Sequence, residues 1–229
     1  MTPSLSIVIP TLDAAATLDA TFNALAELRE AAITFEYVVV DGGSSDDSVS
    51  RARGHNARVL AIEAGRGSQL RAGGEAARGD WLLFLHADTR LVPGWSREVT
   101  HFIERPENAE HAAVFRFALD DNSASARRLE RIVALRCRLL AMPYGDQGLL
   151  IAQHFYRELG GFAPLPLMED VDMVRRIGRR RLIMLNSRAV TSAERYRRDG
   201  WLLRSMRNLS CLALYFLGIP PGLIRRLYA

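Results

Sequence analysis

The chain has 229 residues, 48% hydrophobic and 24% charged, and its 30 basic and 26 acidic side chains leave a formal net charge of +4. These ordinary globular values exclude a disordered chain and allow one domain with a full core, with or without a terminal extension. Every basic residue is an arginine, and the positive charge gathers in the second half, at 127–138, 175–181, 195–207 and 225–226. That asymmetry suits a phosphate-rich ligand or an anionic membrane surface; with no interleaved aromatic platform and no binding motif it argues against a nucleic-acid partner.

The first ninety residues alternate strand and helix signals, the pattern of a parallel sheet covered by helices. Strands are predicted at Ser6 to Ile9, Tyr37 to Val40, Arg58 to Ile62 and Trp81 to Leu85. Between them lie a helix capped near Asp13 with Leu18, Phe22, Leu25 and Leu28 at helical spacing, a second begun by Asp46 and Asp47, and a third over Ser68 to Ala77. Beyond Asp88 the alternation loosens. Helices are predicted over Pro93 to Ile103, Ala126 to Met142, Phe155 to Leu159 and Asp170 to Arg179. Strands are expected at Ala113 to Leu119, with Val114, Arg116 and Ala118 facing away from Phe115, Phe117 and Leu119, and at Gly148 to Ala152, Leu182 to Leu185 and Ala189 to Thr191. The reading is one α/β domain over 1–200, with halves at 1–90 and 91–200. An amphipathic helical extension follows over 201–229, suited to a membrane surface or a dimer contact.

Cys137 and Cys211 lack metal-type spacing and read as small core residues of a reducing compartment. No basic leader precedes the first strand, so no signal peptide is expected. The longest apolar run, Leu209 to Ile219, falls short of the roughly 20 residues that cross a bilayer. A cytoplasmic protein follows, with peripheral attachment to the inner membrane face left open.

Candidate chemistry sits at strand ends, where ligands collect in open α/β sheets. His86 and Asp88, two apart after an apolar strand, can hold a divalent cation that neutralises a diphosphate. Asp41 serves either a nucleotide or its own turn. Gly65-Arg66-Gly67 sets a guanidinium in a flexible loop suited to phosphate oxygens. Asp146 and Gln147 form either a plain turn or a sugar-hydroxyl site. Glu169, Asp170 and Asp172 exceed what capping one helix needs, and a carboxylate among others can act as a general base. Arg195, Tyr196, Arg197 and Arg198 suit a lid over a diphosphate or a contact with head groups. Neither a G-x-x-x-x-G-K-[ST] loop nor a G-x-G-x-x-G turn is present, which argues against P-loop NTPases and dinucleotide oxidoreductases.

Taken in order, these motifs resemble the family 2 glycosyltransferases of GT-A fold. Pro10-Thr11-Leu12-Asp13 with Leu18 is similar to the opening Pro-x-x-Asn-x-x-x-x-Leu pattern, and Val40-Asp41-Gly42-Gly43-Ser44-Ser45-Asp46 to the Val-Asp-Asp-Gly-Ser-x-Asp turn. His86-Ala87-Asp88 stands at the Asp-x-Asp position and Glu169-Asp170 at the Glu-Asp pair. The chain is also similar to a small bacterial subgroup carrying His-Ala-Asp-Thr, Gly-Asp-Gln-Gly and Met-Glu-Asp-Val. The resemblance implies a Rossmann-like, mainly parallel sheet. It also implies an inverting, non-processive transfer from a nucleotide diphospho-sugar, a UDP-sugar first, to an acceptor hydroxyl. Pro10, Thr11, Asp41, Arg66, Asp146, Gln147, Arg195 and Arg197 would serve the donor and its sugar. Asp88, with His86, would hold Mn²⁺ or Mg²⁺. Asp170 would be the base, with Glu169 tuning it or orienting the hydroxyl. A lipid-linked acceptor and a homodimer are compatible with the tail. The rival is a non-catalytic nucleotide-sugar-binding or membrane-associated accessory protein, motivated by Gly42 and His86 standing where the family carries acids.

Overall fold

The computed structural model describes residues 3–31 and 33–228. Strand and helix alternate at first: β1 (Ser4–Thr11), α1 (Ala15–Leu25), β2 (Thr34–Asp41), α2 (Ser48–Gly54), β3 (Arg58–Ala61), α3 (Arg66–Ala76) and β4 (Trp81–Phe84). The middle holds β5 (Thr89–Leu91), α4 (Trp95–Ile103), β6 (Ala112–Leu119), α5 (Ala124–Leu140), β7 (Leu149–Ala152) and α6 (Gln153–Glu158). Then come α7 (Glu169–Ile177), β8 (Leu182–Thr191) and the closing helices α8 (Glu194–Asp199), α9 (Trp201–Phe216) and α10 (Pro221–Tyr228).

One eight-stranded sheet runs β3-β2-β1-β4-β7-β6-β8-β5. Its first four strands are parallel, because each crossover is long enough to hold a helix. The second half is mixed: β7 is antiparallel to both β4 and β6, β6 is parallel to β8, and β5 is antiparallel to β8. Strands covered on both faces read as continuous apolar runs, and Leu5, Ile7 to Ile9, Val38 to Val40 and Leu82 to Leu83 are fully buried. Helix α3 meets the sheet at Gly73, where a Cβ would stand 2.3 Å from Val8 Cγ1.

Four local expectations change. The two late strands are one, β8, and the three-residue β5 that pairs with it is too short to leave a periodic signal. In β6 the expected alternation is interrupted by a register shift between Val114 and Arg116, and only Arg116 is exposed. Asp13 does not cap α1: it sits at φ 48° and accepts from Ser45. The first amides of α1 donate instead to Asp46 and Ser48 of the β2–α2 loop. Finally, the predicted tail is two helices that are packed rather than appended. Cys211, Leu212 and Ile224 bury against Leu167, Met168 and Val171 at the start of α7. Both cysteines are free and buried, as expected. Among the described residues no helix is long and apolar enough to cross a membrane.

Candidate functional site

The carboxyl end of β1 and the turn after β4 border a cleft of about 540 Å³, with Pro10, Thr11, Arg66, Gln69, His86, Asp88, Ser192 and Arg195 on its walls. Gln69 ties the ends of β1 and β2 together by donating from Nε2 to Thr11 O and Val40 O, both at 2.8 Å. A second, inner cavity of about 120 Å³ lies under α9 and is lined by Tyr144, Asp146, Asp170, Arg204 and Asn208 among others. The two spaces share Arg66, His86, Asp88, Ser192 and Arg195. A ligand extending from one to the other must pass the His86–Asp88 turn.

Strand alternation is not what aims His86 and Asp88. β4 ends at Phe84, and 86–88 is a turn closed by Thr89 N donating to His86 O at 3.1 Å. The turn still delivers both side chains to the shared boundary. Burial drops the His86 imidazole to about 3, helped by the Arg66 and Arg195 cations and opposed by Asp170. The ring is therefore neutral and able to ligate a metal at physiological pH.

Asp170 and Gly145 close the other side. Asp170 Oδ2 accepts from Gly145 N at 2.7 Å, and Oδ1 accepts from Val171 N at 2.7 Å. A Cβ on Gly145 would stand 2.8 Å from His86 Nε2 and 3.4 Å from Asp170 Oδ2, so backbone fills the gap between imidazole and carboxylate. Burial raises the neighbouring Asp146 to about 6, with Arg136 opposing and Asp170 and Asp88 reinforcing the shift. Asp146 Oδ1 is buried with no hydrogen-bond partner. Asn208 Oδ1 is in the same condition, so two residues that line the inner cavity each carry a buried acceptor without a partner.

Of the residues marked in the sequence, Pro10, Thr11, Arg66, His86, Asp88 and Arg195 meet in the cleft, and Asp146 and Asp170 in the inner cavity. Four others lie outside both. Asp41 is buried beneath its own turn, accepting from Gly43 N, Ser44 N and Ser44 Oγ. Gln147 is 1% exposed and donates to Phe115 O, which locks the loop onto β6. Glu169 is 1% exposed and paired with Arg66. Arg197 reaches away to Asp120 and Asp121.

Sequence reasoning missed Tyr144, Ser192 and Asn208, and it placed Arg204 only within a basic cluster. Arg204 is 5% exposed, turned into the cavity and 3.2 Å from Asp199 Oδ2. The available signal was an arginine and an asparagine four apart on the polar side of an apolar helix.

A sequence model of glycosyl transferase family 2 matches residues 6–181. A PGL/p-HBAD biosynthesis glycosyltransferase of Mycobacterium bovis is 38% identical over 96 residues, covering 39% of this chain and 37% of its own length. An uncharacterized protein of Mycobacterium tuberculosis is 32% identical over 128 residues, 52% of this chain and 38% of its own. The chain thus spans under two-fifths of the length of these curated relatives. Among solved structures, glucosyl-3-phosphoglycerate synthase of M. tuberculosis with Mn²⁺, UDP and glucosyl-3-phosphoglycerate superposes with a TM-score of 0.66 at 20% identity, covering 95% of this chain and 81% of that one. S. aureus TarS 1-349 in complex with UDP-GlcNAc gives 0.64 at 18% identity, covering 84% and 58%. The curled mixed sheet flanked by helices is the GT-A fold of these enzymes, and with the family model spanning most of its length, the chain belongs to glycosyl transferase family 2.

Proposed function

We propose that this chain transfers a sugar from a nucleotide diphospho-sugar, a UDP-sugar, to a hydroxyl of a polyhydroxy acceptor, with inversion at the anomeric carbon. One observation carries the reading: a nucleotide-sized cleft and a smaller polar cavity meet at the His86–Asp88 turn, with the Asp170 carboxylate on the far side. UDP is the nucleotide named with both solved relatives. The short His86-Ala87-Asp88 motif further supports the subgroup in which a histidine stands in the metal motif.

A divalent cation suits this donor set. Among the described residues no three His, Cys, Asp or Glu side chains gather into a complete site. Neutral His86 and Asp88 are two donors, which fits a hard cation that takes its remaining oxygens from a diphosphate. Mn²⁺ or Mg²⁺ held there would offset the charge that builds on the departing diphosphate.

The chain's own residues do the rest. Arg66 and Arg195 flank the same boundary and add positive charge beside the leaving group. Asp170, held in one orientation by the Gly145 and Val171 amides, takes the acceptor hydroxyl's proton. The freed oxygen forms its bond to the anomeric carbon as the bond to the diphosphate breaks, and that electron pair leaves with the diphosphate. A single in-line displacement inverts the centre. Glu169 is a positioning residue: buried against Arg66, it steadies the guanidinium rather than touching the acceptor. Asp146 and Asn208 receive acceptor hydroxyls in the inner cavity.

The test is thermal stabilisation by UDP, GDP, ADP and dTDP, each with Mn²⁺ and with chelator. A ligand at one hundred times its dissociation constant adds about 2.7 kcal/mol. Metal-dependent stabilisation by UDP is expected, followed by turnover with a UDP-sugar; stabilisation by none of the four would sink the reading.

A further inference from the structure

Over 202–209 helix α9 is turned the opposite way from an ordinary amphipathic surface helix, whose apolar stripe faces the core, while Cys211 and Leu212 further on pack inward. Arg204 and Asn208 point inward and wall the active-site cavity. Leu202, Met206, Leu209 and Phe216 recur at helical spacing on its outer side and are 48–75% exposed. Leu223 and Leu227 of α10, four apart, are 52% and 61% exposed. The stripe on α9 alone is about 21 Å long at about 1.5 Å per residue. An apolar band of this extent on a soluble surface marks an interaction site.

Charge identifies the partner. After Asp199 the sequence contains four arginines and no aspartate or glutamate. Arg204 lines the inner cavity and Arg225 the outer cleft, Arg226 is exposed, and Arg207 is partly so. A second copy meeting this face across a two-fold axis would set arginines against arginines with no acid to answer them. A bilayer surface with anionic head groups meets both demands, taking the leucines into its outer acyl region and the guanidiniums at its phosphates. We propose that the outer face of α9 and α10 docks on an anionic membrane surface. This holds the cavity walled by Arg204 and Asn208 at the interface, whichever sugar is transferred.

The probe is flotation of the full chain with phosphatidylcholine vesicles, with and without phosphatidylglycerol. Binding is expected only to the anionic vesicles. It should weaken when salt is raised from about 0.1 M to about 1 M, which shortens the screening length from about 10 Å to 3 Å. Leu202→Ser, Met206→Ser and Leu209→Ser combined should reduce binding at least about tenfold. The UDP–Mn²⁺ melting response should be kept, since none of the three lines the site. Arg207→Gln with Arg226→Gln is the second variant and should mimic high salt. Flotation that fails, that is equal on neutral vesicles, or that survives the triple change overturns the proposal. So does a dimer in light scattering that the triple change dissolves. The nucleotide response is read on the same protein, so loss of the transferase reading is distinguishable from loss of this one.

Discussion

Arg66, at the start of α3, and Glu169, at the start of α7, form an ion pair across 103 residues of sequence. The pair decides which of two adjacent carboxylates is left facing the cavity. Glu169 is held by the guanidinium through Oε1, and its Oε2 is buried without a hydrogen-bond partner. Asp170 faces the cavity between the Gly145 amide and the His86 ring. The same pair brings the Arg66 loop against the Pro-rich segment before α7; a Cβ on Gly67 would lie 2.5 Å from Leu165 O.

Removing Arg66 should expose the cost of burying Glu169. Burial already raises Glu169, Asp170 adds to that, and Arg66 opposes it. Arg66→Ala therefore raises the group further, and the penalty is felt wherever it must ionise. The loss should be about 2 kcal/mol at pH 8, less than for a fully buried pair because Arg66 is 34% exposed. It should shrink as pH falls and Glu169 takes a proton. Melting curves across pH 5 to 8 check this, and adding Glu169→Gln to Arg66→Ala should restore stability at pH 8. A deficit independent of pH would show that the ion pair is not its source.

Asp170→Asn separates binding from chemistry. The amide oxygen can still accept from Gly145 N, with only the bond from Val171 N given up, so the loop should keep its shape and UDP–Mn²⁺ its affinity. Turnover should fall by roughly 10²–10⁴, the usual contribution of a general base. Calorimetric titration of UDP beside steady-state rates makes the comparison. Equal loss of both would assign Asp170 to donor binding.

How far the sequence anticipates this arrangement depends on the distance over which each residue acts. Asp88, Arg66 and Asp170 were legible because each sits where an apolar strand ends, a glycine loop opens or a helix begins. The contact between Glu169 and Arg66 was not, since the two lie 103 residues apart. The Asp46 cap of α1 was hidden for the same reason, its partner Ala15 lying 31 residues earlier. For α9 the sequence showed an amphipathic helix suited to a membrane surface or a dimer contact, but not which polar residues turn inward. A stripe of leucines implies an inward apolar face, and only the polar cavity built by β8, α7 and the Tyr144 loop draws Arg204 and Asn208 inward instead.

Asp146 predicts a trade between stability and activity. Its carboxyl is raised from 3.8 to about 6, so the folded chain holds this proton more tightly than the unfolded one. The favourable contribution is complete below about pH 4 and is lost as pH rises through 6. Asp146→Asn should therefore match the parent protein near pH 4 and exceed it by about 3 kcal/mol at pH 8. Acceptor KM should rise in the same variant, because the group lines the inner cavity. Thermal melts at both ends of the range read the first effect and acceptor titrations the second. A variant less stable than the parent at pH 8 would contradict the assignment.

Gly145→Ala tests the contact between the two halves of the site most directly. The added methyl would stand 2.8 Å from His86 Nε2, closer than carbon and nitrogen approach without displacement. The backbone at Gly145 is not in the left-handed region, so no conformational strain competes with this clash. The cheapest relief is a shift of the His86 ring by a few tenths of an ångström, which disturbs the Asp170 side and the His86–Asp88 turn together. Stability should change by no more than about 1 kcal/mol, since the ring borders a cavity and has room to move. Metal-dependent UDP affinity and turnover should each fall by tenfold or more, as small displacements of catalytic groups do. Titrating Mn²⁺ at fixed UDP separates the two outcomes. Unchanged metal dependence with lost turnover would confine the damage to Asp170, whereas a rightward shift in the Mn²⁺ curve would put His86 in the metal's shell.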